Sequence, residues 1–272
     1  DLHSFPTRRS SDLVVELPGV YKIVTAKDVP GDNRVAFFSF SPRTLATEKS
    51  HYVIAEDKIV NYGDCVAVAV ADTKDHAREA AAKVKVEIEK LPEYRNYLDA
   101  VKPDAIRIHD DHPNMWCIQP TIKGAGHDTD KLFEKAAYVV EGSFYAQREP
   151  HAQIESDTIQ AYFDADGILC IHCKAMAIGA HLTDIAEATG ILQEKIRVIA
   201  NPTGASFGWS TFGQSYALAA EVCQACDGMP IALSMSYQEH IAFTGKRAPA
   251  FSNSRLACDK RSEEHTSELQ SR

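Results

Sequence analysis

The stretch YGDCVAVAVADTKDHAREAAAKVKVEIEKLP, residues 62–92, constrains the fold more than any other. Val66 to Ala71 is apolar at every position, the pattern of a strand covered on both faces. Asp72 or Thr73 is placed to cap a helix through KDHAREAAAK. Beyond it Val84, Val86 and Ile88 alternate with Lys85, Glu87 and Glu89, which predicts a half-exposed strand. A strand, a helix and a strand joined by a connection this long can form a parallel crossover, so the first domain is expected to be a small α/β unit. Upstream, GVYKIVTAKDVPG supplies another strand and a short helix stopped at Pro30 and Gly31.

From Tyr97 to about Leu132 the texture changes to scattered Pro, Gly, Asp and His without a period, which reads as a linker. Beyond it, AAYVVEGSFYAQ and SDTIQAYFDADGILCIHCKAM read as strands, the latter a pair turned at Asp164–Gly167. GAHLTDIAEATG (179–190) is expected to be a helix closed by Gly190, and KIRVIA (195–200) a strand. A glycine-punctuated loop, NPTGASFGWSTFGQ (201–214), then leads into a helix over SYALAAEVCQAC (215–226) and a strand in MPIALSMSY.

With 44% hydrophobic and 25% charged residues among 272, the chain is that of a globular protein rather than a disordered one. A net charge of −9 without a basic stripe argues against a nucleic-acid partner. The longest apolar runs fall far short of the ~20 residues that span a bilayer, and no signal peptide opens the chain, so no membrane partner is expected and the protein is read as cytoplasmic. Seven cysteines, an odd number, fit reduced thiols better than a disulfide framework. Both ends read as something other than natural protein. DLHSFPTRRSSDL (1–13) and RSEEHTSELQS near the C-terminus match frame translations of two sequencing adapters. The natural chain is therefore expected to be 14–260, cut at both ends by the DNA fragment, with 1–13 and 261–272 as adapter-derived artefacts.

Three constellations are candidates for chemistry. The 201–214 loop lies between a strand and a helix, where backbone amides and the helix dipole can face an anionic or oxo ligand, and Gly204 and Gly208 spare the backbone a Cβ. It has neither the G-x-G-x-x-G order nor a G-K-[ST], so it is not a nucleotide fingerprint, and it also reads as a plain chain-reversing turn. Cys170, His172 and Cys173 with Cys223 and Cys226 offer two C-x-x-C pairs. On a strand Cys170 and Cys173 point to opposite faces, and the pairs are too far apart for a zinc ribbon, so buried thiols are the better reading and no metal ligand is assigned. REPHAQIESD (148–157) gathers Arg148, Glu149, His151, Glu155 and Asp157, either a solvated charged turn or acid–base machinery.

Taken in order, these segments resemble the molybdenum-binding subunit of the xanthine dehydrogenase and aldehyde oxidoreductase family, with bacterial aldehyde oxidoreductases the nearest in pattern. Residues 62–92 resemble its α/β hammerhead domain, EPHAQIESDTIQAYFDADGILCIH the start of its cofactor-binding region, TGASFGWS a Gly-Gly-x-Phe-Gly loop that lies against the metal, and FTGKRAP a segment of bacterial members. The resemblance implies an α/β (α+β) chain: a hammerhead domain at 14–96, a linker at 97–135, and the incomplete first part of a molybdopterin-binding domain at 136–260. It implies a molybdenum–pterin cofactor, with a cytosine dinucleotide as one form of it, contacted by Gly204, Ala205, Ser206, Phe207 and Gly208. His181 falls near a residue that contacts an apical ligand in some members. Two departures stand out: Ala205 replaces the second glycine, and Ser210–Thr211 replace a Lys–Glu pair found in xanthine dehydrogenases, which favours aldehydes over purines. The implied reaction is hydroxylation of an aldehyde to a carboxylic acid with water. Hydroxylation of xanthine or another heterocycle, and a non-catalytic binding module on the same scaffold, are the alternatives. The general-base glutamate of the family has no counterpart here, so no catalytic residue is assigned and the chain alone is expected to be inactive. Implied partners are a small-molecule aldehyde, an iron–sulfur domain or subunit carrying [2Fe-2S] clusters, and a homodimer of the full-length enzyme.

Overall fold

The computed structural model describes residues 16–36, 49–110, 113–115 and 128–260. The adapter-like stretches 1–13 and 261–272 lie outside them. Contacts divide the chain into two units, one of residues 1–117 with 150–245 and one of residues 118–149 with 246–272.

In the first unit, β1 (Val20–Val24) is followed by the short strands β2 (Arg34–Ala36) and β3 (Lys49–Tyr52), which pair antiparallel with each other, and by β4 (Val68–Ala71). β1 and β4 also pair antiparallel, Ile23 opposite Ala69 and Val24 opposite Val68. Thr73 caps α1 (Lys74–Lys83), its hydroxyl accepting from the amide of His76, so of the two expected caps Thr73 is the one used. The expected strand at 84–89 is not formed among the described residues, and with it goes the expected parallel crossover. Val84 and Val86 keep the alternation by being half-buried, but no described strand offers a ladder, and alternation without a pairing neighbour does not make a strand.

The larger element of this unit is a four-stranded sheet. Its strands are β6 (Thr158–Phe163), β7 (Leu169–Cys173), β8 (Ile196–Ala200) and β9 (Ile231–Ser234), in the order β9-β6-β7-β8. β6 and β7 form the expected hairpin, with Gly167 at φ +74 in the turn where a side chain would be strained. β7 and β8 are parallel, crossed over by α3 (Ile178–Thr189), which ends at Gly190 in the left-handed conformation, φ +73. α4 (Gln214–Ala225) returns the chain towards β9. Ile159, Leu169, Ile171 and Cys173 of the sheet bury against Ile185 of α3 and Tyr216, Ala219 and Cys223 of α4. A second cluster joins Val24, Val35, Ile54 and Val70 to Leu218 and Val222 of α4, so the early strands share a core with the later helix.

The second unit holds β5 (Tyr138–Ala146) and β10 (Ala250–Cys258), paired antiparallel over their whole length, and α2 (Thr129–Lys135), capped by Asp128. Among the described residues no helix is long and apolar enough to cross a membrane.

Candidate functional site

The 201–213 loop leaves β8 at Asn201, whose amide is tied to the Cys173 carbonyl at 2.8 Å, and enters α4 at Gly213. Two of its residues have positive φ: Phe207 at +48, unusual for an aromatic, and Gly208 at +100. The Phe207 ring is 74% exposed, while its neighbours Ser206, Trp209 and Ser210 are buried. The bend is thus a buried frame that thrusts one aromatic ring outward. A side chain held against its backbone preference, with its apolar ring in solvent, is the kind of local cost that functional loops carry.

Most backbone donors of this frame are already taken. The amides of Gly204 and Ala205 donate to one carboxylate oxygen, Glu155 Oε2, at 2.7 and 3.0 Å. Trp209 N donates to the Ser206 carbonyl at 3.1 Å and Ser210 N to the Ser206 hydroxyl at 2.7 Å. Thr211 N donates to the Gly208 carbonyl and Phe212 N to that of Trp209. The last amide, Gly213, is held by the Asp184 carboxyl from α3, so tightly that a Cβ at 213 would fall 2.4 Å from its Oδ2. Between Gly204 and Gly213 the amides that donate to nothing among the described residues are three in a row: Ser206, Phe207 and Gly208.

Two expectations about this loop need revising. Gly204 was expected to admit a ligand, but a Cβ there would meet Glu155 Oε2 at 3.0 Å, so its bareness serves the carboxylate. Gly208 has ordinary room, its added Cβ meeting His151 at 3.8 Å, and is required by φ. The start of α4 is likewise claimed by Asp184, whose carboxyl burial pushes up to about 7.

His181 stands beneath the bend with its ring fully buried, edge-on to Tyr216 at 4.8 Å. Its Nε2 lies 3.0 Å from the Ser210 carbonyl and 3.3 Å from the Ala177 amide, an acceptor and a donor meeting at one ring nitrogen. Burial holds its pKa down at about 4, which keeps the ring neutral. Nδ1 has no partner among the described residues.

Sequence reasoning missed the support behind the loop. REPHAQIESD does not read out as a solvated turn: Gln153 and Asp157 are fully buried and Glu155 half-buried. Asp157 Oδ2 accepts from Trp209 Nε1 at 2.8 Å, and its other oxygen lies 3.3 Å from Lys174 Nζ, a buried ion pair. Lys174 Nζ also donates to the Glu155 carbonyl at 2.7 Å. His240 Nδ1 accepts from the Asp157 amide. Next to Gly208, His151 donates from Nδ1 to the Gly245 carbonyl at 2.6 Å. The available signal was a lysine closing an apolar strand, since a lysine there needs a buried partner.

The cysteine pairs do not assemble. Among the described residues no group of three or more His, Cys, Asp or Glu could hold a metal ion, and the six described cysteines are all free. Burial pushes the Cys173 thiol up to about 12 and that of Cys223 up to about 11, which makes them packing groups.

Three successive unbonded amides under an exposed aromatic suit an oxygen-rich or anionic group. The chain around them matches two family models: the aldehyde oxidase and xanthine dehydrogenase a/b hammerhead domain over residues 11–92, and the molybdopterin cofactor-binding domain over residues 108–265. The chain belongs to the aldehyde oxidase and xanthine dehydrogenase family. Within this family it is 38% identical over 244 residues to an aldehyde oxidoreductase of Megalodesulfovibrio gigas, covering 90% of this chain and 27% of that protein. The solved aldehyde oxidoreductase from Desulfovibrio gigas superposes with a TM-score of 0.86 at 37% identity, over 95% of this chain and 28% of that one. A xanthine dehydrogenase/oxidase of Mus musculus is 26% identical over 236 residues, 86% of this chain and 16% of that protein. The chain thus spans about a quarter of the length of the aldehyde oxidoreductases it matches. Its architecture is that of the family, a hammerhead domain followed by a molybdopterin-binding domain.

Proposed function

We propose that this chain forms part of a molybdenum hydroxylase that converts aldehydes to carboxylic acids with water. The observation that carries the reading is the run of amides at Ser206, Phe207 and Gly208 that donate to nothing among the described residues, presented by a bend whose other amides are taken. The fully buried Gln153 amide, with neither end hydrogen-bonded among the described residues, adds a second polar group in want of a partner. These residues fit a molybdenum–pterin group: the amides would hold its oxygen-rich face, and the Phe207 ring would line the substrate's approach. When bound, the group supplies the oxidation of the aldehyde carbon and takes up its electrons. The protein's share is placement. Glu155 and Asp184 fix the two ends of the loop, and neutral His181 packs beneath it against Tyr216. The electrons would leave through an iron–sulfur domain or subunit.

An aldehyde is favoured over a purine by what fills positions 210 and 211. Ser210 is buried, and the Thr211 hydroxyl donates to the Gly208 carbonyl, so neither offers a carboxylate to a heterocycle. Division into a hammerhead domain at 14–96 and a cofactor-binding domain at 136–260, linked through 97–135, belongs to the same proposal. The family matches at 11–92 and 108–265 support the order of the two domains, the second beginning within 97–135.

The test is to express the gene that carries this sequence where the pterin cofactor is available, then measure bound metal and aldehyde-dependent dye reduction. Equimolar molybdenum with aldehyde turnover is expected. A folded product devoid of molybdenum overturns the reading, and a loaded enzyme that oxidises xanthine but no aldehyde overturns the substrate class.

A further inference from the structure

We propose that Glu155 is the positioning residue of the bend: by saturating the amides of Gly204 and Ala205, it determines that the three amides after them are the ones left facing a ligand. The inference rests on the functional reading above for the identity of that ligand, but its geometry stands alone. One carboxylate oxygen accepts from two successive amides at 2.7 and 3.0 Å, a charge-assisted pair stronger than neutral turn bonds. The carboxylate is not free to wander. Its own main-chain carbonyl is held at 2.7 Å by Lys174 Nζ, and Lys174 is fixed in turn by buried Asp157. Asp157, two residues further on, grips the far side of the bend through Trp209 Nε1. Residues 155–157 therefore hold the loop on both sides of Phe207, and the strained φ of that residue is the segment between two fixed points. Gly204 is matched to this arrangement, because any side chain there would crowd Glu155 Oε2.

The experiment is peptide-resolved hydrogen exchange on the 272-residue chain, comparing the parent with Glu155→Ala and Glu155→Gln. Alanine removes both acceptor contacts, whereas glutamine keeps one oxygen of the right reach. Exchange at Gly204 and Ala205 should rise about tenfold or more in E155A and stay within about threefold of the parent in E155Q. Unchanged exchange in E155A, or equal acceleration in both variants, overturns the proposal. If E155A fails to fold, Gly204→Ala decides: crowding the carboxylate should speed exchange at the same two amides, and no change there overturns the proposal. In the cofactor-loaded full-length enzyme, E155A should keep its molybdenum and lose about tenfold in kcat, with KM within about twofold and recovery in E155Q. Loss of molybdenum with kcat per metal unchanged would mean that Glu155 only retains the group, and overturns the positioning role. A parent that binds no molybdenum defeats the functional reading and leaves the exchange result untouched.

Discussion

β7 and the β5–β10 ribbon are both regular strands, yet they are ordered by different means. Leu169, Cys170, Ile171 and Cys173 of β7 are at most 1% exposed, with strands on either side and helices packed against the sheet. β5 and β10 pair over nine residues, but Tyr138, Val140, Phe144, Tyr145, Phe251 and Leu256 stand exposed along them. The ribbon is held by its ladder and by a few side-chain links: Arg255 reaches Glu141 at 2.7 Å and lies over the Phe133 ring at 4.4 Å, and Ser143 donates to Asn253. Burial orders the first strand and pairing orders the second. A lone two-stranded ribbon is marginal in water, so the difference should be measurable.

The largest effect should come from emptying the packed side. Ile171→Ala is expected to cost about 2–5 kcal/mol in urea unfolding, while Phe144→Ala should stay within about 0.5 kcal/mol because its ring is already wet. Equal costs would break the comparison by showing that the ribbon is packed after all.

A second contrast uses pH. Glu221 on α4 is fully buried without a hydrogen-bond partner among the described residues, and burial lifts its pKa from 4.5 to about 9. The folded protein then keeps a proton that the unfolded chain releases, so this group's stabilisation is complete below about pH 4.5 and is lost as pH rises to about 9. Glu221→Gln should therefore flatten the fall of the melting temperature between pH 6 and 9, the difference between the two proteins cancelling the opposing slope of His181 below 6.5. Parallel curves for parent and variant would show that the carboxyl is solvated. A small effect is expected at the ribbon's ion pair: Arg255→Ala should cost no more than about 1 kcal/mol and less at high salt, since both partners are largely exposed.

What could be read from the sequence follows this division only in part, since β5 of the ribbon was legible from AAYVVEGSFYAQ. The β6–β7 hairpin and α3 were legible because burial writes a period and Gly167 and Gly190 punctuate it. β10 was not, because AFSNSRLAC has no buried face to impose alternation, and its partner lies more than a hundred residues away. The stretch 204–208 was legible from its glycines as an irregular connection between β8 and α4. Its support was not, because 153–157 inverts the usual rule: Gln153 and Asp157 are buried while Ile154 between them is 92% exposed. A hydrophobicity pattern reads such a segment inside out, since polar residues go inward there to serve other polar groups rather than to fill space.

The close fit of Gly204 to Glu155 ties two positions 49 residues apart into one unit of inheritance. Any side chain at 204 demands that the carboxylate at 155 draw back, so a change at 204 should be tolerated only where residue 155 gives way. Any attempt to retune this bend would have to redesign both together.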